Sequence, residues 1–252
     1  LELCALPQIY IDRRTALGFG ALICAAPLAS SAAQLTGAGM VWAPDTAAYP
    51  LATDLRAGYV FFTPHEATFI ESACARLIPA DGTGPGAIEA GVPLFLDRQL
   101  AGEYGKGTRW YMQGPFGKST GTQGYQSRFP PAGLYRAAIK AIGEYLGRSG
   151  GQPFNTRSPA DQDAFLRDLE AGKVDLGPDV DAKSYFGLLL QNVLEGYFSD
   201  PIYGGNRGMG PWRMIGFSGA RYDQRPYVLA YGKPYPLPPA GIGGRPAWSV
   251  KA

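Results

Sequence analysis

Apolar residues recur at helical spacing in five separate segments of this chain, and almost nowhere at the spacing of a strand. The first segment is the best marked. In TPHEATFIESACARLIP, Thr63 stands at the N-cap, Pro64 at the first helical position and Glu66 at the third, a capping box with proline in its favoured place. Phe69, Ile70, Ala73, Cys74, Leu77 and Ile78 then share one face, and Pro79 stops the helix. A second segment, Ala87 to Leu100, turns Phe95, Leu96 and Leu100 inward, with Pro93 as a kink or a restart. A third runs from about Pro131 to Arg148 on Leu134, Tyr135, Ala138, Ile142, Tyr145 and Leu146. The fourth has Ser158 as cap, Pro159 next and Phe165, Leu166 and Leu169 on its face, and it ends at Gly172. The fifth has Asp181 as cap and carries Phe186, Leu189, Leu190, Val193, Leu194 and Tyr197. Only YVFF (59–62) and PYVLAYG (226–232) read as strands, and the Pro-rich stretch from Pro234 cannot join a central one. The expectation is an all-α fold: a small helical body of about five helices with long Gly/Pro/aromatic loops packed over it.

Those loops are where the composition is unusual. Thirty-five glycines and twenty-two prolines in 252 residues are roughly twice the usual combined share of ~12%. The 12% aromatic content argues against disorder. Two stretches stand out, residues 102–131 and SDPIYGGNRGMGPWRMIGFSGA at 199–220. Loops of this length in a compact protein are usually functional. The net charge of +2 comes without a basic block, which excludes the clustered Lys and Arg that nucleic acid demands. The single histidine, His65, lies in the first turn of a helix and reads as a solvated surface residue. With no CxxC and no histidine cluster, no metal site is expected. The glycine clusters GAGM and GGNRGMG lack both the GxGxxG spacing and the strand-to-helix setting of a nucleotide site.

The start of the chain is a separate object. Paired Arg13 and Arg14 precede an uncharged run whose core, Ala16 to Ala29, is short of the ~20 residues of a membrane span. Small residues follow at Ser31, Ala32 and Ala33. This is the layout of an export signal of the twin-arginine type, the alternative being an uncleaved hydrophobic N-terminus. The domains expected are therefore a signal at 1–33, an arm or linker at 34–60, a helical domain at 61–225 and a Pro-rich C-terminal tail at 226–252. Cys4 and Cys24 leave with such a signal. Cys74 remains, on an apolar stripe that favours a buried free thiol over pairing with another chain.

Two readings of the 199–220 stretch stay open on the residues alone. Glycine lets a backbone approach a partner closely, and Tyr and Trp anchor interfaces, so the loop suits a contact surface. The same loop can fold back on its own helices with Trp212 filling the core. A third reading makes the protein a stand-alone secreted carbohydrate-active enzyme or binding module, with Glu195 and either Asp200 or Asp223 as a carboxylate pair and Tyr203, Trp212 and Phe217 as a sugar platform.

LLLQNVLEGYFSDPIYGGNRGMGPWRMIGFSGA resembles the hallmark of the gluconate 2-dehydrogenase subunit 3 family. The matching elements are Glu195, Gly196, Tyr197, Asp200, Pro201, Tyr203, Gly204, Gly205, Asn206, Trp212, Gly216 and Phe217. The stretch 62–100 is similar to the family's opening helix, its Ile-Pro-x-Asp corner and its Pro-Gly-Ala-x-x-Ala-Gly connector. The resemblance covers most of 60–225. It implies a small, or gamma, subunit without catalytic, cofactor-binding or metal-binding residues of its own. FAD is then expected in a large catalytic partner that oxidises gluconate or a related sugar or sugar acid, and haem in a cytochrome c partner that is contacted indirectly. The small subunit serves folding, flavin loading and export of the large one. The complex is placed on the periplasmic face of the inner membrane, where membrane association comes through the assembly. The residues expected to face the partner are Asp200, Pro201, Tyr203, Gly204, Gly205, Asn206, Trp212 and Phe217, with Arg13 and Arg14 serving export.

Overall fold

A computed structural model describes residues 58–116, 120, 122–148, 151–221 and 224–242. The export signal, most of the arm and Asp223 lie outside the described residues. Among the described residues there are seven α-helices: α1 (Pro64–Leu77), α2 (Val92–Ala101), α3 (Glu103–Lys106), α4 (Pro131–Arg148), α5 (Pro159–Glu170), α6 (Ala182–Phe198) and α7 (Gly210–Ile215). Five of these are the helices expected from periodicity. The short α3 and α7 were not expected, because a single turn or so of helix is too brief to show a period.

The caps follow the sequence closely. Thr63 accepts from the Glu66 N–H, and Glu66 reaches back to the Thr63 N–H at 2.8 Å. Ser158 and Asp181 cap α5 and α6 through the N–H groups of Asp161 and Ser184. Each such cap contributes about 1 kcal/mol. The second helix begins later than expected. Residues 87–91 form turns, with the Ala87 N–H bonded to the Ile78 carbonyl at 2.8 Å, and Gly91 takes φ +77° immediately before Val92. Pro93 is therefore a restart, in the first turn of α2.

Helices α1 and α6 form the centre. Each packs against the other and against α2, α4 and α5. Ile70, Ala73 and Cys74 of α1 and Tyr185, Leu189 and Val193 of α6 are fully buried. Cys74 is a buried free thiol, as its place on the stripe suggests, and burial pushes it well above the ordinary thiol range. Arg76 and Asp163 join α1 to α5 by two parallel hydrogen bonds of 2.7 and 2.8 Å. Leu194, expected inside, is exposed. The position that α6 turns inward instead is Asn192, whose Oδ1 accepts from the Tyr104 hydroxyl at 2.8 Å and whose Nδ2 donates to the Tyr135 hydroxyl at 3.1 Å. Burial pushes the Tyr104 hydroxyl up to about 12. The irregular stretch after α3 rests on the same region, with Trp110 between the rings of Tyr104 and Tyr125 at 5.6 and 4.7 Å.

Both strand expectations are corrected. Among the described residues there is one isolated bridge, Gly219 with Ala240, and no strand. At 60–62 the N–H groups are taken by a side chain instead of a ladder. The fully buried Asp97 accepts from Val60, Phe61 and Phe62 at 2.8, 2.8 and 2.9 Å. At 226–232 the N–H groups turn back locally, Tyr227 to Gln224 and Ala230 to Tyr227, and the apolar side chains of Val228, Leu229 and Tyr231 face water.

Candidate functional site

The loop after α6 is built on the backbone of α6 and on the 80–91 connector. Asp200 starts it, capping a short 3-10 turn (Pro201–Tyr203) by accepting from the Ile202 N–H at 3.0 Å. The chain then presses on α6 so closely that a Cβ on Gly205 would stand 2.0 Å from the Gly196 carbonyl oxygen. No side chain fits there, so a larger residue at 205 must push the loop off the helix. Asn206 follows with φ +47°, a conformation that Asn tolerates better than most residues, and its Nδ2 donates to the Ser199 carbonyl at 2.8 Å. Met209 also has positive φ, +53°, which costs ~1 kcal/mol or more in a residue with a Cβ. Complete burial of the Met209 side chain offsets that strain.

Met209 and Trp212 form a second small core, separate from the main one. Trp212 is 5% exposed and donates its Nε1–H to the Phe198 carbonyl at 2.9 Å. Phe217 leans edge-on against it at 5.0 Å and receives the backbone turn through its N–H to the Trp212 carbonyl.

The two sequence stretches that carry the family resemblance meet here. The Arg207 N–H donates to the Ala90 carbonyl at 3.0 Å, and the Tyr197 hydroxyl donates to the Pro85 carbonyl at 2.6 Å. Burial pushes that hydroxyl above the ordinary tyrosine range. A Cβ on Gly91 would approach the Gly204 carbonyl oxygen to 2.8 Å. The glycines of one stretch thus make room for the other.

The expected contact residues divide. Pro201, Gly204, Gly205, Asn206 and Trp212 are buried within the chain, Asp200 is half-buried, and Tyr203 and Phe217 are exposed. Beside those two, Ile202, Met214 and Ile215 also carry large apolar side chains into water, and so do Leu194 and Phe198 on the last turns of α6. Loop and helix end therefore present an apolar set on a locked frame. Periodicity misses Met214 and Ile215 because α7 is so short.

Of the carboxylates expected as a pair, Glu195 and Asp200 are among the described residues and Asp223 is not. Asp200 places its second oxygen on the Ile242 N–H at 2.7 Å, so both oxygens hold backbone. Glu195 is exposed and accepts from Gln191 at 2.8 Å. His65 is exposed at the rim of a cleft of about 140 Å³ between α1 and α4. No group of three His, Cys, Asp or Glu side chains suited to a metal occurs among the described residues, and no helix among them is long and apolar enough to cross a membrane.

The body is all-α, and Ile202, Tyr203, Met214, Ile215 and Phe217 gather exposed apolar side chains on one loop, while Tyr111, Leu229 and Tyr231 elsewhere are more exposed still. The family description "gluconate 2-dehydrogenase subunit 3" matches residues 64–219, well over half the chain. The chain belongs to that family, whose name describes an accessory subunit that associates with other subunits of a dehydrogenase complex. Comparison with curated proteins and with solved structures returned no match.

Proposed function

We propose that this chain is the non-catalytic small subunit of an exported FAD-dependent dehydrogenase complex acting on gluconate or a related sugar or sugar acid. The large partner holds FAD and oxidises the substrate, and a cytochrome c partner carries the electrons onward. The small subunit supports folding, flavin loading and export of the large one, and the assembly works on the periplasmic face of the inner membrane. The observation that carries this reading is the exposed apolar set Ile202, Tyr203, Met214, Ile215 and Phe217 on the segment that defines the family, held on a frame of buried neighbours. Large apolar side chains gathered on an exposed surface mark sites of association.

The test places charge on that face. In the Tyr203→Asp, Ile215→Asp double variant, both side chains start about half exposed, so the isolated chain should melt within a few degrees of the parent. Flavin recovered with a tagged chain from its host should fall at least about tenfold, the effect of losing ~1.4 kcal/mol of binding. Unchanged flavin recovery removes this face from the interface. The export part of the proposal rests on Arg13 and Arg14. Changing both to Lys should leave the precursor and its dehydrogenase partner in the cytoplasm, and normal delivery of both would end the twin-arginine assignment.

A further inference from the structure

Residues 224–242 lie beyond the family match, which ends at 219, yet they are fastened to the family's loop. The Asp200 carboxylate spans both, with one oxygen on the Ile202 N–H at 3.0 Å and the other on the Ile242 N–H at 2.7 Å. The Ala220 N–H donates to the Ala240 carbonyl at 2.7 Å, and Arg221 Nη2 donates to the Pro238 carbonyl at 2.6 Å. Between these ties the chain makes an excursion braced by the rings of Tyr227 and Tyr235, which meet edge-to-face at 4.8 Å. On it, Val228, Leu229 and Tyr231 are 59%, 81% and 80% exposed. Three large apolar side chains within four residues, all in water on a braced excursion, are poorly explained by the stability of the chain alone.

Charge narrows what they meet. From Pro201 to Ile242 the sequence has Arg207, Arg213, Arg221, Arg225 and Lys233 against one acid, Asp223, whereas the whole chain has only two more basic than acidic residues. The basic surplus is concentrated on the segment that also carries the exposed apolar residues. A complementary surface is apolar at its centre and rimmed with carboxylates.

We infer that residues 224–237 form a second contact arm for the large dehydrogenase subunit, seating Leu229 and Tyr231 in an apolar recess rimmed by acidic side chains, with Asp200 fastening the arm to the loop. The inference rests on the proposed function and extends it, since it assigns to the same partner a segment outside the family match. The Asp200 contact gives one residue two tasks, to start the loop and to hold the arm beside it.

The test uses the complex made in its own host. A Leu229→Asp, Tyr231→Asp variant should leave the melt of the isolated chain unchanged and lower flavin recovery at least about tenfold, as loss of interface anchors does. Recovery with the parent chain should fall as salt rises, because the rim charges are screened. If the parent recovers flavoprotein and the variant recovers as much, the arm is not a contact and the proposed function stands. If the parent recovers none, both fall together. If the substitutions instead abolish binding to phosphatidylglycerol vesicles and leave flavin recovery intact, the arm's occupant is a membrane and the inference is overturned. If they convert a dimer of this chain to a monomer with flavin recovery intact, the occupant is a second copy and the inference is again overturned.

Discussion

Trp212→Ala should lower the folding stability of the isolated chain by ~3–5 kcal/mol, the usual cost of emptying a buried tryptophan site. Trp212 and Met209 are the whole of the second core, and the indole N–H is the donor to the Phe198 carbonyl at the end of α6. Truncation removes the packing that offsets the strained Met209 backbone and frees α7 from α6. For a domain of this size each kcal/mol is worth ~2–4 °C, so the melting temperature should fall by about ten degrees. Phe217→Ala is the control. Its ring is exposed and only leans on the indole, so it should cost under about 1 kcal/mol. Thermal melts of the two variants, followed by circular dichroism, check this. Equal and small losses would mean that the loop does not depend on its own core. Because the Trp212 variant loses stability first, it cannot probe the interface, and Tyr203 and Ile215 are the positions that can.

Asp97→Ala should be of similar severity, about 3–4 kcal/mol. One buried carboxylate accepts from three successive backbone N–H groups at 60–62, and Arg98 sits beside it at 3.2 Å. Hydrogen bonds to a charged acceptor contribute ~1.5–3 kcal/mol, and a buried donor left without a partner costs ~1–3 kcal/mol. Phe62, which packs in the main core, is placed by this contact. Hydrogen exchange is the discriminating measurement. The amides of Val60, Phe61 and Phe62 should lose protection in the variant while those of α4 and α5 keep theirs relative to global stability. Protection at 60–62 that survives the substitution would mean the segment is held by packing alone.

The helices were legible because each carries its own instructions. Thr63, Ser158 and Asp181 are caps that act within three residues, and the inward faces of α1, α4 and α5 repeat at a local period. What failed to show in the sequence depends on residues far apart. YVFF looks like a strand because its side chains suit one, yet the N–H groups of Val60, Phe61 and Phe62 are claimed by Asp97, more than thirty residues on. Asn192 is polar and so falls outside any apolar pattern, yet its amide is buried and joins two tyrosines from other parts of the chain. Leu194 looks like core because it continues the apolar pattern of α6, yet it lies at the exposed end where the loop begins. The loop itself alternates buried and exposed residues without a period, since glycine contacts and positive-φ residues set each orientation one at a time. The family resemblance spans the whole segment, and only the fold separates its locked residues from those that face outward.

The most direct measurement is purification of the tagged full chain from its own host under mild conditions, followed by the absorbance spectrum and the masses of the co-eluting chains. The account predicts a flavin spectrum and a larger chain in equal amount. A single colourless chain, folded and monomeric, would contradict it.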